Sequence, residues 1–148
     1  MRFMMLMIPL GYETAPPDVQ LDPERVKAMM KYNEALKDAG VLIALDGLHP
    51  PSMGARVSFA GGKPRVTDGP FAEVKEVLGG YWMINVASRD EAIGWAMRCP
   101  ASGNEVIEVR QVLAAEDFGE ALTPELRARR KSGCGPGLRR SDVCLSPS

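Results

Sequence analysis

Phe3 to Ile8 is an unbroken apolar run of strand length, ended by Pro9 and Gly11, the pattern of a central strand buried on both faces. Asp22-Pro23-Glu24 then opens a helix, with Asp22 as N-cap and Pro23 at the first helical position. Val26, Met29, Met30, Asn33 and Leu36 recur at three- and four-residue spacing and define its inward face, and Gly40 closes it. Val41 to Leu45 reads as the next strand. Ala55 to Phe59 alternates in polarity, Gly61-Gly62 gives a two-residue hairpin signal, and Lys63 to Thr67 returns antiparallel. Gly80 to Val86 is aromatic and β-branched, as strands prefer. Ser88 and Glu91 form a capping box for a helix that buries Ala92, Ile93, Ala96 and Met97 and stops before Pro100. Glu105 to Val112 supplies the last strand.

Two strand–helix–strand units with a hairpin between them predict an α+β fold, a ferredoxin-like sandwich with both helices on one sheet face. The opposite face, carrying Tyr81 or Trp82 by alternation, must then meet water, a ligand or a second subunit, and a homodimer is expected. Past Phe118 the pattern changes. Leu122 to Lys131 predicts a short helix capped at Thr123, after which a Gly, Pro, Ser and Arg-rich end buries too little to order itself. The expected organisation is a domain over residues 1–115 and a basic, disordered C-terminal segment over 116–148.

Composition narrows the function classes. A net charge of −1 over 148 residues gives no basic surface for nucleic acid. No run reaches the length of a membrane span and no signal peptide is evident, so a cytoplasmic location with no membrane partner is expected. Cys99, Cys134 and Cys144 lack zinc-ligand spacing, and no metal is expected. Phosphate loops, dinucleotide-binding glycine patterns and nucleophile elbows are missing as well, so no cofactor is expected.

Chemistry concentrates in Asp68-Gly69-Pro70-Phe71-Ala72-Glu73-Val74-Lys75-Glu76. Asp-Gly-Pro predicts a tight reversal, for which Gly69 tolerates a positive φ, and Pro70 suits the first turn of a helix carrying Glu73 and Glu76 on one face. His49 is the single histidine, held on an extended loop before Pro50-Pro51. It is placed either to accept a proton near neutral pH or to bond a backbone carbonyl. Asp68 either orients that imidazole or caps its own turn. Arg110, pointing opposite to Ile107 and Val109, either holds a carboxylate or phosphate or pairs with Glu108. Glu73, Lys75 and Tyr81 are further candidates for a pocket wall.

The Asp68–Glu73 run, with Lys75-Glu76, Gly79-Gly80-Tyr81, Gly47-Leu48-His49-Pro50-Pro51-Ser52, Ala96-Met97-Arg98-Cys99-Pro100 and Glu108-Val109-Arg110, resembles the DGPF group of YCII-related proteins from Met1 to Val112. The resemblance implies a small dimeric ferredoxin-like α/β barrel. It also implies a His/Asp pair to which catalysis is attributed, carried over here to His49 and Asp68. Many members of the group are encoded beside sigma factors of the extracytoplasmic-function type. Two readings follow: a small-molecule-binding protein or small enzyme using His49, Asp68 and Arg110, and a non-catalytic regulatory partner in a sigma-factor system.

Overall fold

A computed structural model of the chain describes residues 1–71, 75–121, 123–126 and 128. Among the described residues of Met1–Val112, six strands and two α-helices carry the architecture: β1 (Arg2–Pro9), α1 (Pro23–Asp38), β2 (Leu42–Gly47), β3 (Ala55–Ser58), β4 (Arg65–Asp68), β5 (Gly80–Asn85), α2 (Arg89–Met97) and β6 (Glu105–Gln111). Strands β2, β5, β1 and β6 lie in that order in one sheet, antiparallel at every contact. This is a mixed α+β arrangement compatible with a ferredoxin-like fold. Strand β1 can occupy the interior because no charge interrupts Phe3 to Ile8. Phe3, Met5 and Met7 are buried, while Met4 and Leu6 stay half-buried on the other face.

Asp22 caps α1 by accepting the Glu24 amide at 3.1 Å, and Gly40 follows its last turn at φ 68°. The inward stripe is Met29, Tyr32, Asn33 and Leu36. Met30, expected inside, is 59% exposed. The 3.6-residue period allowed either rotation, and the larger Tyr32 ring takes the buried place because its hydroxyl finds the Trp95 carbonyl at 2.8 Å. Burial pushes the Tyr32 hydroxyl well above the ordinary phenol range.

Half of the capping box of α2 forms as expected, Ser88 Oγ accepting the Glu91 amide at 3.1 Å, while the Glu91 carboxylate reaches one residue further back and accepts the Ala87 amide at 2.8 Å. Here too the expected face rotates. Ala92 and Trp95 are buried and Met97 is 82% exposed, because the indole buries more apolar surface than the thioether would. The Arg98 guanidinium lies 4.0 Å above the Trp95 ring. The core formed by these helices and the sheet includes an edge-to-face contact between Tyr32 and Trp82, with centroids 5.8 Å apart.

The β3–β4 hairpin pairs Ala55 with Asp68 and Ser58 with Arg65. Its connection runs from Phe59 to Pro64, longer than the two-residue turn expected from Gly61-Gly62. Pro64 has no amide to donate, so pairing resumes only at Arg65. The Asp-Gly-Pro stretch is also a correction. Gly69 does not use a positive φ. Its amide donates to the Gly54 carbonyl at 2.8 Å, and a Cβ there would overlap the Pro51 carbonyl oxygen and lie 2.6 Å from the Pro51 carbonyl carbon. Glycine is required by close approach. The Gly69–Pro70 peptide is cis, and Phe71, Lys75 and Glu76 are not helical; residues 72–74 lie outside the described residues.

The chain divides into two compact units, Met1–Val112 and a second that begins at Leu113. In the second, Asp117 accepts the Ala114 amide at 2.6 Å, and Thr123 Oγ1 accepts the Leu126 amide at 3.4 Å, the cap expected at that position. The basic end expected to be disordered, with Cys134 and Cys144, lies outside the described residues. Among those described, no helix is long and apolar enough to cross a membrane.

Candidate functional site

Strand register creates a gap in the core. On the helix-facing side of the sheet, Gly47 of β2 pairs with Gly80 of β5, which pairs with Met7 of β1, which pairs with Ile107 of β6. Two of the four positions in that row carry no side chain. Close approach explains two glycines in this corner: a Cβ on Gly80 would sit 2.9 Å from the Asp46 carbonyl oxygen, and one on Gly79 would sit 2.6 Å from the Pro9 side-chain Cγ. The first half of α1 crosses above this bare corner, and the segment before it closes one side with Tyr12, Val19 and Leu21. The result is a cavity of about 450 Å³.

Its walls are mostly apolar: Met7, Val26, Met29, Leu45 and Trp82 contribute, together with Tyr12. The Tyr12 hydroxyl donates to the Leu48 carbonyl at 2.8 Å, fastening the segment before α1 to the end of β2, and burial raises its pKa. Two polar features break the apolar wall. Trp82 Nε1 donates to Asn33 Oδ1 at 2.8 Å. Glu105, with only 9% of its side chain exposed, accepts from Arg25 and from the Ser102 amide at 2.7 Å. On the opposite, outer face of the sheet Asp46 accepts the Tyr81 hydroxyl at 2.9 Å, which raises the phenol's pKa.

Cys99 packs against the core, where burial and then the Glu105 charge push its thiol up to about 11. It therefore stays protonated at neutral pH, which disfavours it as a nucleophile. Among the described residues, no group of three or more His, Cys, Asp or Glu side chains is arranged to hold a metal ion.

The residues singled out from sequence are distributed unevenly about this cavity. Tyr81 borders it. His49 is exposed, two residues beyond the bordering Gly47. Asp68 ends β4, next to the Gly69 that packs on Pro51, so the His-Pro-Pro and Asp-Gly-Pro segments are pressed together. No hydrogen bond or ion pair joins the His49 and Asp68 side chains to each other. Arg110 is exposed on β6, 3.6 Å from the Glu108 carboxylate, on the sheet face away from the helices. Since β2 and β6 are opposite edges, the width of the sheet separates it from His49 within one chain. Lys75 is exposed with no ion pair among the described residues, and Glu73 lies outside them.

Sequence reasoning missed Arg25, Glu105 and the bare glycine row. Asn33 was the legible clue, a polar side chain on an otherwise apolar helical stripe.

The YCII-related domain model matches residues 1–116, and the chain belongs to the YCII-related family. An uncharacterized protein of Rhizobium meliloti (strain 1021) is similar to it, 42% identical over 59 residues, a stretch covering 40% of this chain and 48% of that relative. The chain thus spans about half the length of the relative it matches.

Proposed function

We propose that this YCII-related chain binds a small organic molecule in the cavity between α1 and the sheet. The observation that carries the reading is the cavity itself: about 450 Å³, inside the range of about 300–1,000 Å³ usual for small-molecule sites, with apolar walls and few polar groups. Nile red, a neutral apolar dye, is the probe. It should bind the purified protein with a blue-shifted emission. Val26→Trp should weaken that binding by at least about tenfold, because a ring there fills the space a ligand needs. Val26 is 38% exposed, so the larger side chain can be carried without overpacking the core. Dye binding left unchanged by the substitution would refute the reading.

A catalytic extension has its own support in the packing of Gly69 on Pro51, which holds the His49 and Asp68 segments together beside the cavity's rim. In this extension His49 exchanges a proton with the bound molecule and Asp68 orients the ring. His49→Ala should then stop conversion of a ligand that co-purifies with the protein while leaving its affinity unchanged. Conversion at the normal rate would exclude the role.

The sheet face bearing Met4, Leu6, Tyr81 and Met83, each only half-buried, is assigned in this reading to a second copy of the chain. The regulatory alternative, a partner in a sigma-factor system, would instead draw on Val57, Phe59 and Val66, exposed on the β3–β4 hairpin.

A further inference from the structure

The hydrogen bond between Trp82 and Asn33 fixes more than a contact. An indole N–H can only donate, so it turns the Asn33 carbonyl oxygen toward itself, and the Nδ2 group must point the other way. That Nδ2 group carries two donors and bonds no described residue. It is also not sealed from solvent: among the described residues the one enclosed, unpartnered side-chain oxygen or nitrogen is Glu13 Oε2. Asn33 borders the cavity, so its donors are available to whatever enters.

The charges around the cavity point to what should enter. Asp22, Arg25 and Glu105 carry the charges at its edge, since Asp46 turns its carboxylate to Tyr81 on the outer sheet face. Arg25 is already engaged by the largely buried Glu105 carboxylate. That leaves no free cation among the bordering residues. An anionic ligand would give up its hydration against apolar walls with no free cation to pair it. A cation would give up its hydration against the same walls, with only Asp22, exposed at the rim and screened by water, to attract it. A neutral molecule meets neither penalty.

We infer that the cavity selects a neutral, mainly apolar molecule bearing a carbonyl-type acceptor, which Asn33 Nδ2 recognises while Trp82 holds the amide in that orientation. The inference rests on the binding reading above and names its ligand class. It differs from a purely apolar site in requiring the Asn33 donors, and from an acid-binding site in the sign of its charge preference.

Displacement of Nile red from the full-length protein tests it, with methyl octyl ketone and decanoate as competitors of equal carbon count. The ketone should displace the dye at a concentration at least about tenfold lower than decanoate at neutral pH. Asn33→Asp keeps an acceptor for the Trp82 indole and removes both donors. It should raise the ketone concentration required by about tenfold while the tryptophan emission and far-UV circular dichroism stay as in the parent. Decanoate competing equally or better would overturn the inference and leave the binding reading standing, as would a ketone affinity unchanged in Asn33→Asp. Failure of both competitors to displace dye that Val26→Trp does exclude would also overturn it. Failure of the dye to bind, or its indifference to Val26→Trp, would refute the binding reading itself.

Discussion

Replacing Trp82 with alanine is expected to lower the stability of the domain by about 3–5 kcal/mol, the largest single effect the structure implies. The side chain is 6% exposed on β5, paired in register with Met5 on one side and Leu45 on the other. It meets the Tyr32 ring edge-on and donates to Asn33. Alanine removes the dispersion contacts, leaves the Asn33 carbonyl without its donor, and opens the core into the existing cavity. Trp82→Phe keeps most of the volume and loses the N–H, so its cost should be about 1–2 kcal/mol. Urea unfolding followed by circular dichroism measures both. A loss below about 1 kcal/mol for the alanine variant would mean that Trp82 is not packed as described.

Gly69→Ala should cost about 1–3 kcal/mol or more, although it adds only a methyl group. The added carbon would overlap the Pro51 carbonyl, a backbone group that cannot swing aside as a side chain would. Relief requires separating the Asp68–Pro70 turn from the Pro51–Met53 turn and breaking the Gly69 to Gly54 hydrogen bond of 2.8 Å. Gly94→Ala is the control, since a Cβ there meets nothing within 4 Å. In the interior of α2 that change should be stabilising by about 0.5–1 kcal/mol. Equal melting temperatures for the two variants would contradict the close approach.

What the sequence revealed, and what it hid, follows from the range of the interactions concerned. Helix caps are local: Asp22, Ser88 and Gly40 act on backbone groups within a turn, and each does what its position implied. The apolar run of β1 likewise announced an interior strand. Helix rotation was less legible. Met30 and Met97 satisfy the apolar period as well as Tyr32 and Trp95 do, and only the packed neighbours decide between them. Gly69 had a turn's composition, but the cause of its glycine is Pro51, a contact made through the hairpin's folding back.

The cavity was hidden for the same reason. Gly47 and Gly80 are unremarkable apart; they empty the sheet corner only when β2 and β5 pair in this register. Arg25 and Glu105 meet across the fold from a helix and a strand far apart in the chain. His49 and Asp68 drew attention by residue type, and the backbone packing brings their segments together without bonding their side chains.

Proton–nitrogen correlation NMR of the labelled protein, with and without methyl octyl ketone, tests the central claim most directly. Ligand in the cavity should move the Trp82 indole N–H, the Asn33 side-chain amide and the Gly79 and Gly80 backbone resonances together, saturating at one concentration. Shifts confined to Met4, Met83 and Val106 on the outer sheet face, or to Val57 and Val66 on the hairpin, with the Trp82 and Asn33 signals unmoved, would contradict it.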